Sequence, residues 1–246
     1  MISPRFIPLV AAFVGAGAAL WTGLASGGAP VFVFVLSGWL VSLCLHEFGH
    51  AFVAWRGGDA SVAAKGYLTL DPLAYTHPAL SLVLPALFLA MGGIGLPGGA
   101  VYIDHSRMRS RVWESLVALA GPAMTGLCLI ALAAPFILGL HRETGEPDFW
   151  AGVAFLAFLQ ASALLFNLLP IPGFDGFGAL AVAMSRRAQQ KAEQLAQPAM
   201  LILFLVIFAA PGVFRPFFVA VRWIVAGLGV DLRYVALGWQ TFRFWA

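Results

Sequence analysis

Runs of near-continuous apolar residues recur along this chain, and several approach or exceed the roughly 20 residues that carry a helix across a bilayer. The candidate spans are 6–24, 31–55, 116–140, 150–169 and 200–213, with shorter, ambiguous runs at 80–96 and 217–230. Hydrophobic residues make up 61% of the 246 positions and charged residues only 10%, against roughly 45–50% and about 25% in soluble domains. No stretch is polar enough to form a separate soluble domain. The chain therefore reads as one integral membrane domain over 1–246: an all-α polytopic bundle of about five to six transmembrane helices, with a re-entrant or β-like element on one side. The first run could be a cleaved signal, since "LASGGAP" follows it. Its length of about 19 residues exceeds the usual 7–15 of a secretory apolar region, which favours a retained span.

Cys44 and Cys128 both lie in apolar runs and read as packed thiols, neither a disulfide nor a metal pair. The net charge of +3 comes from scattered arginines without a basic run, so nucleic acid is not an expected partner. In the polar stretch 56–78, "KGYLTL" alternates enough to predict a short strand. The aromatic end "YVALGWQTFRFWA" reads as an interfacial segment at headgroup depth.

One span is interrupted by "HEFGH" at 46–50. Helical positions four apart share a face, so His46 and His50 can direct imidazole nitrogens at one ion. Glu47 stands about 100° round from His46, beside that ion. This is the H-E-x-x-H pattern of zinc hydrolases, whose glutamate acts as general base on a water. Two histidines bonded to neighbouring carbonyls, with Glu47 neutralising one, would be the bland alternative. Ionisable groups in spans are costly, however, at roughly 2.5–3.5 kcal/mol each on insertion scales, and usually mark a site.

A catalytic zinc typically takes three protein ligands and leaves a fourth position open. The third could come from Asp59, Asp71, His77, Asp104, His105, Glu114, His141, Glu143, Glu146, Asp148 or Asp175. Most of these lie in polar loops, where solvation accounts for them. Asp175 differs: "FNLLPIPGFDGFGAL" puts it after Pro170 and Pro172 within an apolar segment, between Gly173 and Gly176. The prolines break a helix there, and freed backbone groups at membrane depth need protein or a wet cavity around them. A helix-ending turn with a capping aspartate is the plain alternative.

The two stretches "HEFGH" (46–50) and "NLLPIPGFDG" (167–176) resemble the paired motifs of the site-2 protease family of intramembrane zinc metalloproteases, the second of which runs N-x-x-P-x-P-x-x-D-G. The resemblance covers roughly residues 30–190. It implies that His46, His50 and Asp175 hold Zn2+, that Glu47 activates water, and that Asn167 seats the substrate backbone or orients the site. A third family element, G-P-x-x-N, appears as "GPAMT" (121–125), with Thr125 in place of the asparagine. The chain resembles the compact type without a PDZ or nucleotide-sensing domain, with a catalytic core at 30–190, an accessory span in 1–29 and accessory C-terminal segments in 191–246.

Topology tests the ligand set. His46 and Asp175 can reach one ion only if an even number of crossings separates them, and 116–140 and 150–169 already supply two. The run 80–96, interrupted by Pro85, is therefore expected to be a re-entrant or surface hairpin breaking at "GGIGLPGG". Arg5, Arg56, Lys65, Arg107, Arg109, Arg111, Arg186, Arg187 and Lys191 then share one side, opposite the acidic "HRETGEPD", and the positive-inside rule makes that side cytoplasmic. A multi-pass location, in the cell inner membrane, follows as the expectation. "GGAVYI" (98–103) reads as an edge strand, so Gly98, Gly99 and Val101 are expected to pair with an unwound substrate by strand addition. The expected partners are the lipid bilayer and a membrane-protein or signal-peptide-like substrate. Zinc or proton transport, or an inactive scaffold, are the competing functions; transport would not need Glu47 beside the first histidine.

Overall fold

The computed structural model describes residues 2–75 and 101–245, and among these every regular element is helical. Helix α1 spans Phe6–Trp21, α2 Gly28–Gly57 and α3 Ser61–Ala64. After the gap in description come α4 (Arg111–Ile137), α5 (Pro147–Asn167) and the short α6 (Asp175–Ala181). The chain closes with α7 (Arg186–Gln194), α8 (Ala196–Ala209), α9 (Arg215–Gly227) and α10 (Leu232–Phe242).

Local chemistry sets the limits of the long helices. Helix α2 begins after Gly27, whose amide donates to Asp148 Oδ2 at 2.6 Å. It stops at Gly58, where φ is +122° and a side chain would meet the carbonyl of Arg107; a glycine just past the last turn is the common helix stop. Helix α4 starts five residues before the apolar run because Ser110 caps it, its hydroxyl accepting from the Trp113 amide. Helix α5 opens on Pro147 and ends at Asn167, three residues before Pro170.

By length and composition α2, α4 and α5 are each able to cross a membrane, and α8 with α9 would make a fourth if that pair, bent by 100° near Ala209, counts as one span. Helix α1 has 16 residues, shorter than the 6–24 run because Thr22 and Gly23 turn the chain. Helix α5 is the most enclosed, flanked by α2, α4, α9 and α10. Its Trp150, Phe155 and Phe166 join Leu20, Val31, Val35 and Phe242 among the fully buried side chains.

"KGYLTL" does not form a strand. It closes into a single 3-10 turn at Tyr67–Thr69, bracketed by the left-handed Gly66 and Leu70. Residues 101–103 carry no strand pairing, while Gly98, Gly99 and the expected hairpin at 80–96 lie outside the described residues.

A group of basic residues gathers at one end of the bundle, while Arg142, Arg233 and Arg243 lie toward the other. Arg5 pairs with Asp71, the Lys65 ammonium donates to the Tyr102 carbonyl, the Arg109 amide to Gly57, and Arg111 to Met184. At the opposite end sit Asp148 against Gly27, and Trp150, whose indole N–H donates to Thr144.

Candidate metal centre

His46 and His50 lie one turn apart on the inner face of α2, both more than nine-tenths buried. Asp175 opens α6, placed there by Gly173, whose φ of +100° turns the chain after the two prolines. Gly176, the next residue, packs so closely on the Leu168 carbonyl that no side chain fits. Together these put Asp175 Oδ2 3.2 Å from His46 Nε2 and Asp175 Oδ1 3.4 Å from His50 Nε2. The ligand atoms of the three residues all lie within 4.8 Å of one another.

The far sides of the two rings fix which nitrogen faces this point. His50 Nδ1 is 2.7 Å from the Val117 carbonyl, which only accepts, so Nδ1 carries a proton and Nε2 is the nitrogen that faces the shared point. His46 Nδ1 is 2.8 Å from the Thr125 hydroxyl. The two Nε2 atoms face each other at 3.0 Å, and Asp175 Oδ2 is buried with no hydrogen-bond partner. Two imidazole nitrogens and a carboxylate oxygen converge here at distances that a shared proton or a bound cation would hold. Gly121 of α4 lets the rings come this close to the opposite helix: a Cβ there would stand 2.5 Å from His46 Nε2 and nearer still to His50 Nε2. The donor set of two imidazoles and one carboxylate, with an open side, fits a catalytic-type metal site.

Glu47 is 2% exposed and lines the same cavity. Val101 lines the cavity beside it. The cavity has a volume of about 560 Å³, and Asn167 and Phe174 also line it. It opens past α7, whose Arg186 forms a forked pair with Glu114 of α4 at 2.6 and 3.0 Å. Those hydrogen bonds hold the Arg186 guanidinium above its ordinary range. Gln189 donates to the Ala181 carbonyl, so the mouth is framed by polar contacts among α4, α6 and α7.

Of the eleven candidates for third ligand, Asp175 alone joins the histidines among the described residues; His105 and Glu114 only line the cavity, and His77 lies outside the described residues. Asp59 is occupied elsewhere, accepting from Ser61 and from the Asp104 amide. Cys44 and Cys128 are free thiols. Gly121 and Thr125, singled out as part of a family element but given no role, lie at the centre, and Gln160 beside them was not expected there. Gln160 is a buried amide in the midst of an apolar helix, a signal of the same kind that exposed the histidines.

The chain is 47% identical, over 99% of its length and 94% of the relative's, to a Mycolicibacterium smegmatis protein named "Putative zinc metalloprotease Rip2". It is 49% identical, at the same coverage, to the protein of that name from Mycobacterium tuberculosis. A Bacillus subtilis protein named "Putative zinc metalloprotease YwhC" is 28% identical over 70% of the chain. No family model matches, and no solved structure matches at a significant level. Near-complete coverage at about half identity, with both motifs converging on one point, means that the chain belongs to the site-2 protease family.

Proposed function

We propose that this protein is a zinc metalloendopeptidase that hydrolyses peptide bonds within or near transmembrane segments of membrane-protein substrates, from an active site facing the cytoplasmic side of the cell's inner membrane. The observation that carries the reading is the meeting of His46, His50 and Asp175 beside Glu47 in one cavity. The relatives' names supply the metal and the reaction class. The excess of basic residues in the loops at the cavity's end, among them Arg56, Lys65, Arg107, Arg109, Arg186 and Arg187, supports the cytoplasmic orientation.

His46, His50 and Asp175 would hold the ion. Bound zinc supplies Lewis acidity, polarising a carbonyl and making water a competent nucleophile near neutral pH. The protein's own contribution is proton handling and position. Glu47 takes one proton from the attacking water and delivers it to the nitrogen of the departing amine, so the C–N bond breaks without expelling an amide anion. Asn167, 7% exposed in the cavity wall, would hold a substrate carbonyl. His46 lies about 16 Å along α2 from its last residue, Gly57, at 1.5 Å per residue, deep enough to meet a membrane-embedded segment. A helical substrate must unwind to present its carbonyls, and the segment at Val101, with Gly98 and Gly99 before it in the sequence, would receive the opened strand.

The test uses purified full-length protein in lipid vesicles with a reporter carrying a transmembrane segment. Glu47→Gln is expected to keep wild-type zinc content while cleavage falls by about 10²–10⁴-fold, the usual worth of a general base. Asp175→Ala is expected to lose the zinc itself. Full cleavage by Glu47→Gln, or full zinc occupancy in Asp175→Ala, overturns the reading.

A further inference from the structure

We infer that Thr125 is a positioning residue for the metal centre, its hydroxyl holding the His46 ring so that Nε2 presents a lone pair to the ion. The two histidines are oriented by different means. His50 leans on the Val117 backbone carbonyl, which no substitution removes. His46 leans on a side chain, with Thr125 Oγ1 2.8 Å from Nδ1. A hydroxyl can donate or accept, so by itself it leaves the tautomer open. The Gly121 carbonyl resolves it, because Thr125 Oγ1 also lies 3.3 Å from that oxygen, one turn back on α4. A carbonyl only accepts, so the hydroxyl hydrogen goes to Gly121 and the oxygen's lone pair faces His46. His46 Nδ1 then carries the donated proton, which leaves Nε2 as the nitrogen free to ligate, the arrangement that a metal requires.

Among the described residues the Thr125 hydroxyl is the partner that the structure gives His46 Nδ1. Behind His46 lies a small cavity of about 20 Å³, walled by Trp39, Ser42, Gln160 and Asn167. The Ser42 hydroxyl is directed back to the Gly38 carbonyl, and the Gln160 amide nitrogen, buried without a partner, is a donor. Thr125 is itself 3% exposed, so bulk solvent does not substitute. Removing the hydroxyl would strand the Nδ1 proton, and the ring would turn or move its proton to Nε2, against the ion. Position 125, where the G-P-x-x-N element has threonine for asparagine, thus acts on the metal through His46.

This inference rests on the proposed zinc site, and its test reads zinc affinity without any substrate. Full-length wild type, Thr125→Val and Thr125→Ser are purified in detergent, stripped of metal, and titrated with Zn2+ against a chromophoric chelator. Loss of an outer contact to a ligating histidine typically weakens binding by about 10–100-fold. That loss is expected for Thr125→Val, with Thr125→Ser returning close to wild type and both zinc-free variants melting together. Wild-type affinity in Thr125→Val, equal weakening in Thr125→Ser, or a zinc-free Thr125→Val that melts well below Thr125→Ser would overturn it. A wild type that binds no zinc overturns the proposed metal site along with it.

Discussion

A single glycine decides whether the two imidazoles can share an ion. Gly121 lies on α4 directly across from His46 and His50, and the space that its missing side chain leaves borders both Nε2 atoms. Gly121→Ala is therefore expected to bring bound zinc to trace levels while the helix content by circular dichroism stays that of wild type, since alanine is the better helix former. Gly15→Ala, at a position where nothing lies within 4 Å, is the control and should load fully. Normal loading of Gly121→Ala would mean that the ion does not sit against α4. The histidines, Glu47 and Asp175 were legible because each is an ionisable group set in an apolar run, where its cost needs a reason. Gly121 was not. A glycine signals in sequence only through turns and breaks, whereas here it permits a close approach between helices far apart in the chain. The same holds for Thr125, whose value lies in a partner 79 residues away.

At the scale of the element, the loop after α2 is tied down by one carboxylate. Asp59 is fully buried and accepts from the Ser61 amide and hydroxyl and, at 2.8 Å, from the Asp104 amide. It thereby fastens the end of α2 to the segment carrying Val101 and Ile103 into the cavity. Burial pushes its carboxyl up, but the Ser61 hydroxyl and the two amides outweigh that and hold it below the ordinary carboxylate range. A depressed native value contributes stability above the unfolded value, about 3.9, and loses it as pH falls through that value toward the native one. Asp59→Ala should cost about 1–3 kcal/mol at pH 7, the price of stranding buried donors, seen as a lower melting point in detergent. The gap from wild type should narrow below about pH 4; a gap independent of pH would exclude the carboxylate as its source. Nearby, "KGYLTL" shows why some elements resist reading. Its alternation is that of a strand, yet the left-handed Gly66 and Leu70 at either side close it into a turn. Leucine gives no sequence sign of a positive φ. Helix α4's early start was equally hidden, because Ser110 caps a polar first turn that hydropathy cannot see.

Across the whole molecule the bundle divides its work between its ends. The basic end holds the metal ligands, Glu47 and the polar frame of Glu114, Arg186 and Gln189 around the cavity mouth. The other end is a knot of aromatic rings, in which Phe242 of α10 packs at 5.1 Å on Phe32 of α2 and at 5.3 Å on Phe155 of α5. There α10 lies so close to α5 that a side chain on Gly238 would strike the Ala151 carbonyl. Phe32 and His46 belong to one continuous helix and are about 21 Å apart along it, fourteen residues at 1.5 Å each. If the helix transmits no strain over that distance, stability and metal binding should separate. Phe242→Ala removes a fully buried ring, a change that costs about 3–5 kcal/mol in a packed core, and its melting point in detergent should fall accordingly. Its zinc affinity, read by chelator competition below the melting transition, should equal that of wild type. A matched loss of affinity would show instead that the aromatic end sets the spacing of α2 from α4, so that the ligands hold their positions only while the whole bundle is closed.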